Sequence, residues 1–326
     1  MSGLRVGAVV IGRNEGERLQ RCLASLVAGV ESVVYVDSGS TDGSPQTARE
    51  AGVDVVELDL TIPFTAARAR NIGFERIGAM HPDIRLVQFV DGDCEVVPGW
   101  IDHAADYLAA HRSVGIVCGR RRERFPERSV YNFLCDREWD TPPGAAKSCG
   151  GDFMVRVEAF ATVGGFRAGM IAGEEPELCV RLRAAGWGVR RLDREMTRHD
   201  AMMVRFGQWW TRALRGGHAF AEGAHLHGAP PERHWVQECR RILFWAALLP
   251  ATILSAFLLI GPWVGLLLAI YPLQVVRLAL RGAQPWRKNV VWSFFLVLSN
   301  FPGLIGQLRF HARRIANARP QLIEYK

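Results

Sequence analysis

At 326 residues and 36.3 kDa, with 49% hydrophobic and 22% charged residues, the chain can bury one large domain plus an accessory region, which excludes general disorder. A net charge of +7 and a pI near 9.3 raise nucleic acid as a partner. Much of the basic excess lies beside C-terminal apolar segments, however, so membrane lipids are the expected partner and nucleic acid is not. Seven cysteines, odd in number and without a CxxC pair or other metal-like spacing, predict reduced buried thiols and no disulfide framework.

Taken in chain order, Val6 to Ile11 reads as a buried strand closing on a Gly-Arg-Asn-Glu loop. A helix follows, with Leu19, Cys22, Leu23 and Leu26 on one face. "SVVYVD" repeats the strand signal and ends on Asp37, ahead of the small, cap-forming residues of "SGSTDGS" and a short helix. "VDVVEL" is a third strand, "TAARARNIGFERIGAM" a helix, "RLVQFVD" a fourth strand and "WIDHAADYLAAH" another helix. Strands and helices alternating at this spacing predict an α/β fold with a mainly parallel, doubly wound sheet and a ligand crevice at the strand ends.

The fourth strand ends in Asp91-Gly92-Asp93, two carboxylates around one glycine. Such a pair either forms a polar turn or gathers oxygen ligands for Mg²⁺ or Mn²⁺. Asp37 ends a neighbouring strand and is expected at the same edge. Neither GxGxxG after the first strand nor GxxxxGK[ST] is present, which argues against a dinucleotide oxidoreductase and a P-loop enzyme.

The texture changes at Ile242. Residues 242–260 and 263–280 are apolar and long enough to be membrane spans, and 289–307 forms a third block interrupted by Asn300, Pro302 and Gly303. The expected organisation is a cytosolic domain over 1–225, a basic linker over 226–241 and membrane-associated helices over 242–326. Arg240 and Arg241, then Arg277, Arg281, Arg287 and Lys288, then Arg309, Arg313, Arg314 and Arg319 border these blocks. By the positive-inside tendency the first two spans form a hairpin with both ends in the cytoplasm, and the third block is expected to re-enter. The N-terminus lacks a signal-peptide pattern, so the large domain is expected on the cytoplasmic side of the inner membrane.

The ordered series "VVIGRNE", "VDSGSTDGS", "ARARNIG", "VDGDC", "GGDFMVRVEAFATVGGF" and "GEEPELCVRLRAAGW" resembles inverting family 2 glycosyltransferases with the A-type glycosyltransferase fold, over about the first 200 residues. The resemblance implies that Asp37 contacts the base or ribose of a nucleotide-sugar donor, that Arg70 and Asn71 lie on the nucleotide side, and that Asp91 approaches the ribose or a metal-bound water. Asp93 would bind a divalent cation, Mn²⁺ or Mg²⁺, with Asp91 beside it and His199 as a further ligand. Gly150 and Gly151 would allow close backbone approach to the acceptor, and Asp152 would meet a sugar hydroxyl. Glu175 would be the general base although relatives carry Asp there, with Glu174 and Glu177 as alternatives. Gln208 and Arg212 match a Gln-x-x-Arg-Trp motif of processive synthases only loosely, because Ala213 replaces the Trp. The resemblance thus implies inverting transfer of a single sugar to a lipid-linked or membrane-proximal acceptor. A nucleotidyltransferase and a non-catalytic nucleotide-binding membrane protein are the alternatives.

Overall fold

The computed structural model describes residues 3–316, which form two compact units meeting at Val204/Arg205; Arg319 lies outside the described residues. In the first unit the elements run β1 (Val6–Gly12), α1 (Glu17–Leu26), β2 (Ser32–Asp37), α2 (Ser44–Glu50), β3 (Asp54–Glu57), α3 (Ala66–Met80), β4 (Leu86–Asp91), β5 (Cys94–Val96), α4 (Trp100–Ala110) and β6 (Val114–Glu123). They continue with α5 (Val130–Glu138), β7 (Gly144–Ala145), β8 (Phe153–Arg156), α6 (Val157–Thr162), α7 (Glu174–Ala184) and β9 (Gly188–His199).

One sheet carries the order β3-β2-β1-β4-β8-β6-β9-β5, with β7 on β9. Its first half is parallel, as the alternation of strands and helices requires. The second half is mixed: β8 enters antiparallel between β4 and β6, whereas β6 and β9 pair in parallel. The α/β sheet is as expected parallel in its longer ladders, and it is mixed because the short strands β5, β7 and β8 pair antiparallel. Buried Val9, Val10, Val34, Val36, Phe89 and Val90 fill its centre.

Two glycines set how closely the layers approach. A Cβ on Gly73 of α3 would stand 2.4 Å from Val9 Cγ1, so this glycine lets α3 lie directly on β1. A Cβ on Gly119 would stand 2.6 Å from the Arg194 carbonyl oxygen, so β6 and β9 can run together only with no side chain there.

The second unit is helical: α8 (Phe206–His227), α9 (Val236–Leu243), a π-helical turn (Phe244–Leu248), α10 (Leu249–Ile260), a 3-10 stretch (Pro262–Ala269), α11 (Ile270–Ala279), α12 (Trp286–Leu298) and α13 (Asn300–Ile315). The expected domain end at residue 225 falls inside α8, which belongs to this unit through its packing on α13. There a Cβ on Gly217 would stand 2.1 Å from the Gly303 carbonyl oxygen, and one on Gly306 2.1 Å from that of Leu214. The two backbones touch.

Val236–Ile260, Pro262–Ala279 and Trp286–Ile315, of 25, 18 and 30 residues, are each long and apolar enough to cross a membrane. Leu258, Leu259 and Leu266 are 74%, 85% and 78% exposed, which suits lipid rather than water. The third block does not turn back at Asn300–Gly303. Ser299 stays helical (φ −60°, ψ −19°) and Gly303 N–H donates to its carbonyl. Asn300 Nδ2 donates to the Val297 carbonyl at 2.8 Å and to that of Leu296 at 3.2 Å. This side chain satisfies carbonyls at the jog, and the helix continues through Pro302.

Candidate active site

The centre of the site is the end of β4. Asp91 receives Arg70 Nη2 of α3 on Oδ1 at 2.7 Å and Arg121 Nη2 of β6 on Oδ2 at 2.8 Å. Its N–H donates to Asp152 Oδ1 at 2.9 Å. Burial pushes the Asp91 carboxyl up, but the two guanidiniums outweigh it and hold it at about 2. Arg70 Nη1 also donates to Glu174 Oε1 at 2.8 Å, which joins the start of α7 to the same cluster. A Cβ on Gly151 would stand 2.5 Å from Asp91 Oδ2 and 3.1 Å from Arg70 Nη2, so the glycine loop lies against this pair.

Asp93 follows across the turn, and its Oδ2 lies 3.2 Å from Nε2 of His199 at the end of β9, with both side chains buried. The β5/β9 ladder brings them together by pairing Cys94 with His199. Nδ1 of His199 faces Glu123 Oε2 at 3.4 Å. Glu123 is itself fixed by Asn132 Nδ2 at 3.1 Å and the Ala201 N–H at 3.1 Å. Burial, the largest influence, presses the His199 imidazolium down, but Asp93 and Glu123 together outweigh it and the net shift is upward.

These donors fit a divalent cation. Ligand distances of about 2.1 Å in an octahedral shell place adjacent ligand atoms about 3.0 Å apart, close to the Asp93–His199 spacing. The carboxylate behind the second ring nitrogen orients a metal-binding imidazole in this way in many sites. Charge argues the same: Asp91, Asp93, Asp152, Glu174 and, behind His199, Glu123 outnumber Arg70 and Arg121, an excess of carboxylates that suits a cation.

Residues 8–160 match the family model for Glycosyl transferase family 2. This part of the first unit is a family 2 glycosyl transferase region. Two curated proteins align with the chain: TPR repeat-containing protein Synpcc7942_0270 of Synechococcus elongatus, 40% identical over 68 residues, and Glycosyltransferase AglE of Haloferax volcanii, 23% identical over 199. These alignments cover 21% and 56% of this chain but only 17% and 63% of those proteins. Among solved structures, mannosyltransferase PcManGT from Pyrobaculum calidifontis, in complex with GDP-Man and Mn²⁺, superposes with a TM-score of 0.62 at 20% identity, over 94% of this chain and 88% of that one. Glucosyl-3-phosphoglycerate synthase from Mycobacterium tuberculosis, with Mn²⁺, UDP and glucosyl-3-phosphoglycerate, gives 0.51 at 17% identity over 71% and 82%. Both likenesses are of fold.

Within the first unit several residues singled out in the sequence have internal partners. Asp37 accepts from Tyr35 Oη, the Gly39 and Ser40 N–H groups and Ser40 Oγ, which occupies the lone pairs of its carboxylate and fixes the loop after β2. Asn71 holds the backbone at Phe166: its amide donates to the Phe166 carbonyl at 2.8 Å and accepts from the Phe166 N–H at 2.9 Å. Asp152 is fully buried between the Asp91 N–H, Thr197 Oγ1 and Arg121, which takes it away from any sugar hydroxyl. Glu177 is held by Arg167 and Arg181, which removes it as an alternative base.

Glu175 is 3% exposed and accepts N–H donors from Cys149 at 2.5 Å and Gly150 at 2.9 Å and the Cys179 thiol at 2.9 Å. Burial drives its carboxyl up, the three donors oppose, and the result is about 7. Sequence reading missed Arg121, Glu123 and Trp139, whose ring stacks edge-on to His199 and lies under the Arg121 guanidinium. The available signal was the "GRRRER" run at the end of β6, where strand alternation turns only every second side chain to the site.

Proposed function

We propose that the chain transfers a single sugar from a nucleotide-sugar donor to an acceptor hydroxyl on a lipid-linked or membrane-proximal molecule, with inversion at the anomeric carbon and with Mn²⁺ or Mg²⁺ as cofactor. The observation that carries this reading is the Asp93–His199 pair beside the Asp91 cluster, at the strand ends of the unit that holds the family 2 region. That solved structures of the same fold hold GDP-Man with Mn²⁺, or UDP with Mn²⁺, supports the donor class and the cation.

When bound at Asp93 and His199, with Asp91 adjacent, a divalent cation would neutralise charge that develops on the departing diphosphate. Arg70 and Arg121 keep Asp91 ionised and the β4 turn fixed, so the nucleotide meets a preorganised edge. Asp37 and Asn71 act through the loops they hold. Glu175 takes the proton of the acceptor hydroxyl. Of roughly four lone-pair positions on a carboxylate, the three donors on Glu175 leave one for that hydroxyl, and a carboxyl near 7 is matched to proton abstraction at neutral pH. Glu174 is committed to Arg70, which leaves Glu175 for the acceptor.

The three apolar helices suit a membrane-attached enzyme, and that attachment supports a lipid-linked or membrane-proximal acceptor. In the proposed topology the catalytic unit lies on the cytoplasmic side of the inner membrane, where the basic borders of the first two spans are retained. The test is a panel of UDP-, GDP- and dTDP-sugars with and without Mn²⁺, read by thermal shift and by release of nucleoside diphosphate. Release of pyrophosphate from a nucleoside triphosphate and a sugar 1-phosphate, supplied in a parallel assay, identifies a nucleotidyltransferase, and neither product identifies a binding protein.

A further inference from the structure

Behind the proposed base, three elements converge with thiols. Cys118 lies on β6, Cys149 on the loop before β8, and α7 presents Glu175 and Cys179, whose spacing of four places them on one helical face. One ligand atom each from Cys149, Glu175 and Cys179 lies within 4.8 Å of the other two. The Cys149 thiol interacts with those of both Cys118 and Cys179, and all three cysteines are free. Cys118 and Cys179 are buried, while Cys149 is partly exposed and gives the cluster a way in.

We propose that Cys118, Cys149, Cys179 and Glu175 form a binding site for a thiophilic divalent cation, Zn²⁺ by class, distinct from the oxygen and imidazole site at Asp93 and His199. Zn–S bonds of about 2.3 Å in a tetrahedron put ligand atoms about 3.8 Å apart, so shifts of about 1 Å bring Cys149, Cys179 and Glu175 to that spacing, with Cys118 beside Cys149 to complete the shell. Thiolates favour zinc over manganese or magnesium more strongly than the carboxylate and imidazole at Asp93 and His199 do. Burial raises the Cys149 and Cys179 thiols, Cys179 to about 12, so they are protonated without a cation, and each thiol that becomes a ligand releases a proton. A cation here also occupies the Glu175 carboxylate and slows transfer. That consequence alone rests on the base role given to Glu175 above.

The test uses full-length protein in detergent, stripped with a chelator and titrated with Cd²⁺. A sulfur-to-metal charge-transfer band should saturate at one ion per chain, yield to Zn²⁺ and resist equimolar Mn²⁺. Cys149→Ser combined with Cys179→Ser should abolish it, and Cys94→Ser, next to Asp93, should retain it. Independently of any variant's folding, one equivalent of Zn²⁺ should slow alkylation of Cys149 in the unmutated chain at least tenfold by peptide mass spectrometry, and Mn²⁺ should not. The proposal is overturned by no band, by a band that survives in the double variant or is lost in Cys94→Ser, or by Cys149 alkylation indifferent to zinc. None of these readouts involves sugar transfer, so failure of the base assignment leaves them intact.

Discussion

Replacing Glu175 by glutamine keeps the shape of the side chain and removes its charge. In the folded protein burial is the largest influence on this carboxyl and raises it from 4.5 to about 7, against the pull of the Cys149 and Gly150 N–H groups and the Cys179 thiol. That gap corresponds to about 3 kcal/mol. Folding favours the neutral acid, so this stability is fully present below about 4.5 and is lost as pH rises through about 7. Glu175→Gln should therefore be more stable than the unmutated protein at pH 8 by up to about 3 kcal/mol, and the two should converge below about pH 4.5. Turnover should move the other way, falling on the order of 10²–10⁴-fold with the base gone. In the unmutated enzyme, kcat should rise about tenfold between pH 6 and pH 8 as the carboxyl ionises, then level off. Nucleoside diphosphate release and thermal unfolding, both in zinc-free buffer, read these effects. Turnover within twofold of the unmutated enzyme, or a flat profile from pH 6 to 8, removes Glu175 from the base role. Equal stability at pH 8 refutes the argument from burial.

Asp93→Asn, which takes away the carboxylate facing His199 Nε2, should raise the Mn²⁺ concentration for half-maximal transfer at least about tenfold; unchanged manganese dependence places the cation elsewhere. Gly151→Ala puts a Cβ 2.5 Å from Asp91 Oδ2, and a loss of about 1–3 kcal/mol with most of the activity is expected from denaturation and transfer assays. Arg121→Met strips one guanidinium from buried Asp152 and from Asp91 and should cost about 3–5 kcal/mol. In the unmutated protein the Asp91 contribution is present above 3.8 and lost as pH falls through about 2, so the variant should unfold at a higher pH in an acid titration. Gly217→Leu drives a side chain into the Gly303 backbone, 2.1 Å from a Cβ there, and should lower the melting temperature in detergent; an unchanged melt would mean α8 and α13 separate without cost.

The parallel half of the sheet was legible because each strand is a continuous apolar run bounded by turn residues, and the same boundaries located Asp37, Asp91 and Asp93 at strand ends. The antiparallel half was not. β8 is four residues long and β7 two, too short for any periodicity, and their places are set by pairing partners distant in the chain. Arg121 escaped for a related reason: three consecutive arginines look alike until strand register says which one points inward. The expected reversal at Pro302 failed because the composition at this jog gave no sign that Asn300 would cap the carbonyls of its own helix. For the cysteines, spacings of about thirty residues hide a cluster that only the fold of β6, the glycine loop and α7 creates.

The two acids of the β4 turn have different fates, and the difference explains why both are needed. Two like carboxylates this close would each raise the other's pKa, and one would take up a proton. Arg70 and Arg121 prevent that by committing themselves to Asp91, which stays ionised and immobile. Asp93 faces an imidazole instead, a partner that holds it in place and can also turn a ring nitrogen to a cation. The imidazole offers a ring nitrogen as a ligand, which a guanidinium could not do. Were Asp91 without its arginines, burial would act on its carboxyl unopposed and raise it, and a protonated acid binds a cation weakly. The mixed half of the sheet supplies both conditions, since β6 carries Arg121 and Glu123 and β9 carries His199. A cation site at the end of a parallel strand thus depends on the strands that sequence periodicity did not resolve.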